Sequence, residues 1–413
     1  MDTYDVIVIG GGAAGMFAAI QAGYQGARVL LLEPNDRLGK KLYITGKGRC
    51  NLTNNCTWQE VLKNVPHNSR FLYSALSGFT PEDAMTFFES LGCEVKTERG
   101  NRVFPVSDKS SSVIRALETA LGYAGVEIRR LRAREILTEQ GRVVGVKTDA
   151  GSFAAPSVIL ATGGCSYPAT GSTGDGYRMA ARLGHEIEPP VGSLVPLTER
   201  GGDCARMQGL SLRNVQIRLL SGGKTVHQEF GELLFTHFGL SGPVILSASA
   251  HMEAGQDYEI SIDLKPALDE KTLDARILRD FAQQQNRSFE NALSGLYPKT
   301  MIPVIVARSG IPGETKVNSV TREQRRALLE LTKHFSVKIS GLRPVEEAII
   351  TSGGVSTKEI DPKTMESKLV GGLYFAGEVI DVDAYTGGFN LQITWSTAYA
   401  AANAAAKQVT GDR

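Results

Sequence analysis

Residues 4–33, YDVIVIGGGAAGMFAAIQAGYQGARVLLLE, decide the fold. Tyr4 to Ile9 is a short apolar run and predicts a buried strand. Glycines follow at Gly10, Gly11, Gly12 and Gly15. Ala13 to Ala22 then predicts a helix, and Arg28 to Leu32 predicts a second strand ending at Glu33. Strand, tight turn, helix, strand is one βαβ unit of about 30 residues. Gly10-Gly11-Gly12-Ala13-Ala14-Gly15 satisfies the G-x-G-x-x-G spacing. In that pattern Gly10 permits the tight turn, Gly12 lets the backbone approach a pyrophosphate, and Gly15 allows the helix to pack closely on the strand. The helix N-terminus offers its unpaired N–H groups and positive dipole end to phosphates. Glu33, at the end of the second strand, is placed to accept hydrogen bonds from ribose hydroxyls, and its charge would repel a 2′-phosphate.

Further along, Val158 to Ala161 is another apolar strand, entering a turn at Gly163–Gly164. Leu373 to Ala376 is a third, entering Gly377–Glu378. An alanine-rich helix, roughly Leu391 to Ala406, follows Gly387–Gly388. Between them the pattern changes. From Pro189 to Asp263 it is short, strand-like and glycine-punctuated. From Pro266 to Phe335 it is helical, with Leu273, Ile277, Leu278 and Phe281, then Leu328, Leu329 and Leu331, at three-to-four spacing. Val337 to Ile339 is strand-like again. The expected fold is α/β, a Rossmann-like nucleotide-binding domain split by an insertion: residues 1–188 and 346–413 form the nucleotide domain, 189–265 a β domain, 266–335 a helical domain, and 336–345 a strand returning to the β domain.

The chain has 413 residues and a formal net charge of +1, so global electrostatics favour no anionic partner. Its five cysteines are scattered and contain no C-x-x-C pair, which suits a reducing cytoplasm. No signal peptide and no uninterrupted apolar span of membrane length are evident. A cytoplasmic protein is expected, and no metal is called for.

The fingerprint alone does not separate FAD from NAD. The strand delivering Glu378 beside Gly377 does. Flavoproteins use such an acid to hold the ribityl chain, and the glycine pair and helix after it can present N–H groups to the pyrimidine edge of a flavin. No second G-x-G-x-x-G stands in a βαβ context. A nicotinamide donor, NAD(P)H, would therefore dock transiently at the flavin face.

At five segments the chain resembles a known family. They are Gly39 to Asn54, Ala161 to Gly176, Thr236 to Pro243, Thr351 to Val355, and Gly377 to Val379 running on to Gly387–Gln392. The family consists of bacterial FAD-dependent, NAD(P)H-dependent oxidoreductases, and the resemblance covers nearly the whole chain. It includes reductases of 3-oxo-Δ4/Δ6 bile-acid intermediates and an enzyme that makes dihydrouridine in 23S ribosomal RNA. The resemblance implies a glutathione-reductase-like FAD domain, interrupted by a β-barrel-like part and a helical part. It implies that Gly10, Gly12, Ala13, Ala14, Gly15, Glu33, Lys41, Arg49, Cys50, Asn51, Thr162, Gly163, Gly377, Glu378, Gly388, Phe389, Asn390 and Leu391 line FAD, with the strand around Ala133 meeting the adenine. The nucleotide domain is also similar to that of fumarate reductases and aspartate oxidases. Those carry His-Tyr before the Thr-x-Gly-Gly segment, where Ile349–Ile350 stands here. That departure points away from a dicarboxylate and toward an apolar substrate.

A conjugated enone and the C5=C6 bond of uracil are both alkenes activated by a carbonyl. Reduced flavin passes hydride from N5 to the β-carbon, and a protein acid protonates the α-carbon. Tyr385, His237 and Tyr167 are the candidate acids, with Tyr385 placed first because it stands just before Gly387–Gly388. Each has a purely structural alternative in packing or backbone hydrogen bonding. Cys50 and Cys56 are separated by five residues, where disulfide reductases of this fold have four, so a redox pair is not expected. Arg129, Arg130, Arg132 and Arg134 crowd one expected strand, and Arg322 to Arg343 holds six Lys/Arg against two Glu. Such clusters could serve RNA, or be ordinary solvated surface. The leading reading is a reductase of a 3-oxo-Δ4,6 bile acid or related enone. The alternatives are a 23S rRNA dihydrouridine synthase and a non-enzymatic flavin-binding redox sensor.

Overall fold

In a computed structural model describing residues 2–253 and 255–411, the strand Val6–Ile9 is the centre of a five-stranded parallel sheet. The order across the sheet is Leu373–Phe375, Ser157–Leu160, Val6–Ile9, Val29–Leu32, Glu127–Arg129. Ile7 stands opposite Val158 on one side and Leu30 on the other. All four residues of Val6–Ile9 are buried. This is why the run reads as continuously apolar rather than alternating: a parallel strand covered on both faces has no solvent side.

The helix Ala13–Tyr24 runs past Gly23, because a bare Cα there lets the Ala124 carbonyl approach: a Cβ on Gly23 would lie 2.6 Å from that oxygen. The C-terminal helix, Phe389–Thr410, starts two residues before the predicted Leu391 and packs against Ala13–Tyr24. Between them lies an aromatic core in which Trp395, fully buried, meets Phe17 at 5.5 Å and Phe88 at 5.4 Å between ring centroids. Its indole Nε1 donates to the Leu52 carbonyl at 2.9 Å. Trp395→Ala should cost about 3–5 kcal/mol, read as a lowered urea midpoint with an unchanged slope. A loss under about 1 kcal/mol would mean the core is not assembled as described.

The chain divides into two compact units, Met1–Ser193 with Val345–Arg413, and Leu194–Pro344. The strand Ile187–Ser193 pairs antiparallel with Ile350–Val355, which keeps it with the first unit. The second unit holds a closed antiparallel barrel of six strands: Leu197–Glu199, Gly239–Ser241, Lys224–Phe235, Ser211–Ser221, Tyr258–Asp263 and Phe335–Leu342. Two of these are long hairpin strands rather than the short ones predicted, because glycines read as breaks lie inside or beside them: Gly231 is within Lys224–Phe235, and Gly222–Gly223 make the hairpin turn. In the helix Glu270–Gln283, Leu273, Ile277 and Phe281 are buried at a spacing of four, and Asp269 caps the helix by accepting from the Thr272 N–H. Leu278 departs from the predicted face and is 45% exposed. It falls one residue from Ile277, about 100° round the helix.

The four clustered arginines do not share a strand. Arg129 ends Glu127–Arg129, Arg134 lies in Ala133–Glu139, and the chain passes from one sheet to another between them. All five cysteines are free thiols.

Candidate functional site

The glycine turn has a clear division of labour. Gly10 has φ +104°, and a Cβ there would lie 2.5 Å from the Ala161 carbonyl oxygen. A Cβ on Gly15 would lie 1.7 Å from the Gly10 carbonyl oxygen. Both glycines are therefore demanded by the protein's own packing. Gly12 is not. Its φ of −78° suits any residue, and a Cβ there would meet nothing within 4 Å. No side chain caps the helix that begins after it. Glu33 is buried, and its carboxylate accepts from the Gly11 N–H at 2.6 Å and the Asn35 N–H at 2.8 Å.

A second group is assembled from far-apart segments. Lys41 Nζ lies 2.6 Å from Glu378 Oε2, 2.9 Å from Glu378 Oε1 and 2.6 Å from Ser166 Oγ. Glu378 Oε1 also accepts from the Thr351 N–H at 2.8 Å and from the Ser166 hydroxyl at 3.2 Å. Oε2 has Lys41 alone, which leaves it room for a hydroxyl donor. The Tyr177 hydroxyl donates to the Glu378 carbonyl at 3.3 Å. Gly377, beside Glu378, has φ +73°, and its N–H is held by Thr397 Oγ1 at 3.0 Å. Ser166 and Thr351 were not among the residues expected here. Both lie in segments that carry the family resemblance, but nothing local gives them this role, since each acts on a partner more than 180 residues away in sequence.

The third group surrounds the start of the C-terminal helix. Gly388 has φ +98°, and a Cβ there would lie 2.3 Å from the Thr53 carbonyl oxygen and 2.9 Å from Asn51 Oδ1. Asn51 Oδ1 is itself buried and has no hydrogen-bond partner in the structure. Asn54 Nδ2 donates to the Gly387 carbonyl at 2.9 Å. The Asn390 side chain turns back on its own loop, accepting from the Ala384 N–H at 2.8 Å and donating to the Ala384 carbonyl at 2.6 Å. Phe389 is buried, with its ring against Gly387. Asn390 thus presents only backbone at this helix end, and no side chain caps it.

Other expected residues are occupied differently. The Arg49 guanidinium is held by Glu98 at 2.5 Å and Asp108 at 2.5 Å and lies 4.1 Å over the Phe104 ring, so it is already neutralised. Cys50 is fully buried, and burial, with a smaller contribution from Cys93, pushes its thiol far above the ordinary range. Burial raises Cys56 to about 11. Neither is a thiolate at neutral pH, as a redox thiol would need to be. Ala133 is buried at the start of its strand. Thr162 Oγ1 is buried without a hydrogen-bond partner and faces Gly176, where a Cβ would come within 2.0 Å of it. Gly163, φ +72°, continues that turn.

Of the three candidate acids, Tyr167 and Tyr385 are in the first unit and His237 is in the second. His237 is exposed in the turn Thr236–Gly239, its ring edge-on to Phe238 at 5.0 Å. The Tyr385 N–H donates to the Asn64 carbonyl at 3.0 Å. Tyr167 is half-buried at φ +52°, a conformation that a bulky residue rarely adopts. Burial, then the charge of Glu347, raises its phenol above the ordinary tyrosine range. Tyr167 follows Ser166, whose hydroxyl reaches both Glu378 and the Ile349 carbonyl, the latter at 3.5 Å.

The chain is 32% identical to a 3-dehydro-bile acid Δ4,6-reductase of Clostridium scindens, across 97% of this chain and 98% of that one. It is equally 32% identical to a ribosomal RNA dihydrouridine synthase of Escherichia coli, with the same coverage. Among solved structures it shares its fold with a 3-ketosteroid-Δ4-(5α)-dehydrogenase of Rhodococcus jostii, at TM-score 0.51 and 16% identity over 98% of this chain and 97% of that one. Mycobacterium smegmatis Sdh1 matches at TM-score 0.52 and 18% identity, over 99% of this chain and 70% of that one. No helix among the described residues is long and apolar enough to cross a membrane. The match to the family described as HI0933-like protein Rossmann domain runs over residues 4–404, so this chain, with the fold of the flavin-dependent oxidoreductases, belongs to that family.

Proposed function

We propose that the protein holds FAD and uses it, with NAD(P)H as transient electron donor, to reduce a carbon–carbon double bond activated by a carbonyl in an apolar substrate. A 3-oxo-Δ4,6 bile acid is the concrete candidate. Two observations fit the cofactor. Gly12 leaves open the one side of the turn that no protein atom fills. The buried, unpartnered Asn51 Oδ1 beside Gly388 is an acceptor awaiting a donor, and buried acceptors are seldom left unmet. In this reading the helix start at Gly12 faces the pyrophosphate, Glu33 the ribose, Glu378 Oε2 the ribityl hydroxyls, and Asn51 with the backbone of Gly388–Leu391 the flavin's pyrimidine edge. When bound and reduced by NAD(P)H, the flavin would supply the hydride that adds to the β-carbon.

The observation that carries the substrate class is the position of Ile349–Ile350. Ile349 is 38% exposed, an apolar side chain left partly open, while its carbonyl is tied through Ser166 to Glu378. An apolar surface beside the cofactor acid suits a steroid skeleton better than a dicarboxylate. For the proton we place Tyr167 ahead of Tyr385. Its backbone strain is the kind retained at functional positions, and it adjoins Ser166. It would give its proton to the α-carbon and regain one from solvent.

The dihydrouridine reading is favoured by the equal identity to the Escherichia coli enzyme. Weighing against it, five of the ten clustered cations are held in ion pairs. Arg129 pairs with Glu127, Arg132 with Asp175 and Arg134 with Asp149; Arg325 pairs with Asp274 and Lys333 with Asp263. Cations bound to carboxylates contribute less to phosphate neutralisation. The deciding measurement is anaerobic reoxidation of the NAD(P)H-reduced protein by a 3-oxo-4,6-dienoic bile acid and, separately, by unmodified 23S RNA. Return of the oxidised flavin spectrum with the steroid alone, and a two-hydrogen mass gain in the product, is the expected result. Reoxidation by RNA alone would move the protein to the dihydrouridine reading. Reoxidation by neither, with no NAD(P)H turnover, would favour a redox sensor.

A further inference from the structure

We propose that Thr351 is a positioning residue for the flavin site, a buried strut that helps to set Glu378 and the Gly163–Tyr167 loop relative to one another. The proposal rests on the FAD reading above. Thr351 is 1% exposed. Its hydroxyl oxygen accepts from two successive backbone N–H groups, Cys165 at 2.8 Å and Ser166 at 3.2 Å. Its own N–H donates to Glu378 Oε1 at 2.8 Å. One residue thus fixes the backbone of a loop that follows one strand of the parallel sheet, Ser157–Leu160, and the carboxylate that follows another, Leu373–Phe375.

The geometry around it leaves no slack. A Cβ on Gly164 would lie 2.3 Å from Thr351 Oγ1 and 2.9 Å from Glu378 Oε1. Gly164 is therefore the space through which the threonine hydroxyl and the carboxylate reach the loop. Thr351 is itself held in register opposite Gly192 on the neighbouring strand. Removing the hydroxyl leaves the Cys165 and Ser166 N–H groups buried or half-buried without their acceptor. The loop must then move to find one, and Ser166 moves with it. Because Ser166 Oγ bonds both Lys41 and Glu378, the ion pair that would meet the ribityl chain loses two of its fixed points at once.

The role depends on the hydroxyl oxygen and not on the size of the side chain. Thr351→Val keeps shape and removes the acceptor. Thr351→Ser keeps the acceptor and removes a methyl. Thr351→Cys falls between serine and threonine in bulk and has a poor acceptor in sulfur.

The test measures FAD binding to the deflavinated protein by quenching of flavin fluorescence, together with the flavin's midpoint potential. Wild type must first bind FAD; if it does not, the cofactor reading itself fails, whatever the variants do. Given wild-type binding, Thr351→Val is expected to weaken FAD about 10- to 100-fold, the range for stranding one or two buried donors, and to shift the potential. Thr351→Ser is expected to stay within about threefold of wild type by the same scale. If Thr351→Val does not fold, the serine and cysteine variants decide, since neither exceeds threonine in volume and they differ in acceptor quality. Cysteine weaker than serine by about tenfold or more supports the proposal. Valine equal to wild type, or cysteine equal to serine, overturns it.

Discussion

Gly12→Ala is expected to yield a folded protein that has lost FAD. The added methyl meets no protein atom within 4 Å, and the backbone conformation at Gly12 is one alanine adopts freely. The thermal midpoint of the cofactor-free variant should stay within about 2 °C of wild type, as expected of a substitution that disturbs no packing. FAD affinity should fall by about 100-fold or more, roughly 2.7 kcal/mol, because the methyl occupies the path by which the pyrophosphate approaches the backbone. Gly15→Ala should behave in the opposite way. Its methyl would fall 1.7 Å from the Gly10 carbonyl oxygen, so helix and strand must part. The cost should exceed the roughly 1–3 kcal/mol of ordinary overpacking, and the variant should fail to accumulate as native protein. Fluorescence titration with FAD and thermal unfolding separate the two outcomes. An alanine at position 12 that binds FAD like wild type would remove Gly12 from the phosphate site.

The second large effect concerns the proton. Tyr167→Phe is expected to slow substrate reduction by about 10²- to 10⁴-fold, the usual contribution of a placed general acid. Reduction of the flavin by NAD(P)H should be unchanged, since that half-reaction does not use the α-carbon proton. Stopped-flow measurement of each half-reaction makes the distinction. Tyr385→Phe should lose no more than about tenfold on the same scale. The reverse pattern would give Tyr385 the role. Equal loss in both half-reactions would mean that Tyr167 shapes the site and does not deliver the proton. The pH dependence has a definite sign. The Tyr167 pKa is raised by burial and by Glu347, so the phenol keeps its proton through neutral pH. Activity should fall only where an unperturbed tyrosine would already have titrated.

These expectations rest on features of unequal visibility. The βαβ unit was legible because its signals are local: an apolar run, glycines at fixed offsets, and an acid at the end of the next strand. The barrel strands were harder, since Gly231 reads as a break in sequence and is absorbed within a twelve-residue strand in the structure. Leu278 stands three residues before Phe281 and so reads as part of the apolar face, but it lies about 100° round the helix from Ile277 and is exposed. The site was legible wherever a glycine marks it. It was not legible where a polar residue serves a distant partner. Ser166 and its partner Glu378 lie 212 residues apart, and Thr351 and Cys165 lie 186 apart. Arg49 shows the converse. A residue type suited to phosphate is already taken by Glu98 and Asp108, which only the folded neighbourhood reveals.

The split of the first unit around the second also sets an order of events during synthesis. The barrel unit is continuous in sequence and has its full complement of strands once Leu342 has emerged. The parallel sheet is not so placed. Ser157–Leu160, buried along its whole length in the finished protein, waits for Leu373–Phe375 to cover its outer edge. At about 5–20 residues per second, that wait lasts roughly 10–40 s. Through it an apolar parallel edge stands uncovered, the kind of surface on which nascent chains aggregate. The part of the molecule that opens the sequence is therefore completed last, and its yield in the cell should respond to translation speed and chaperone supply more than that of the barrel unit inserted in its sequence.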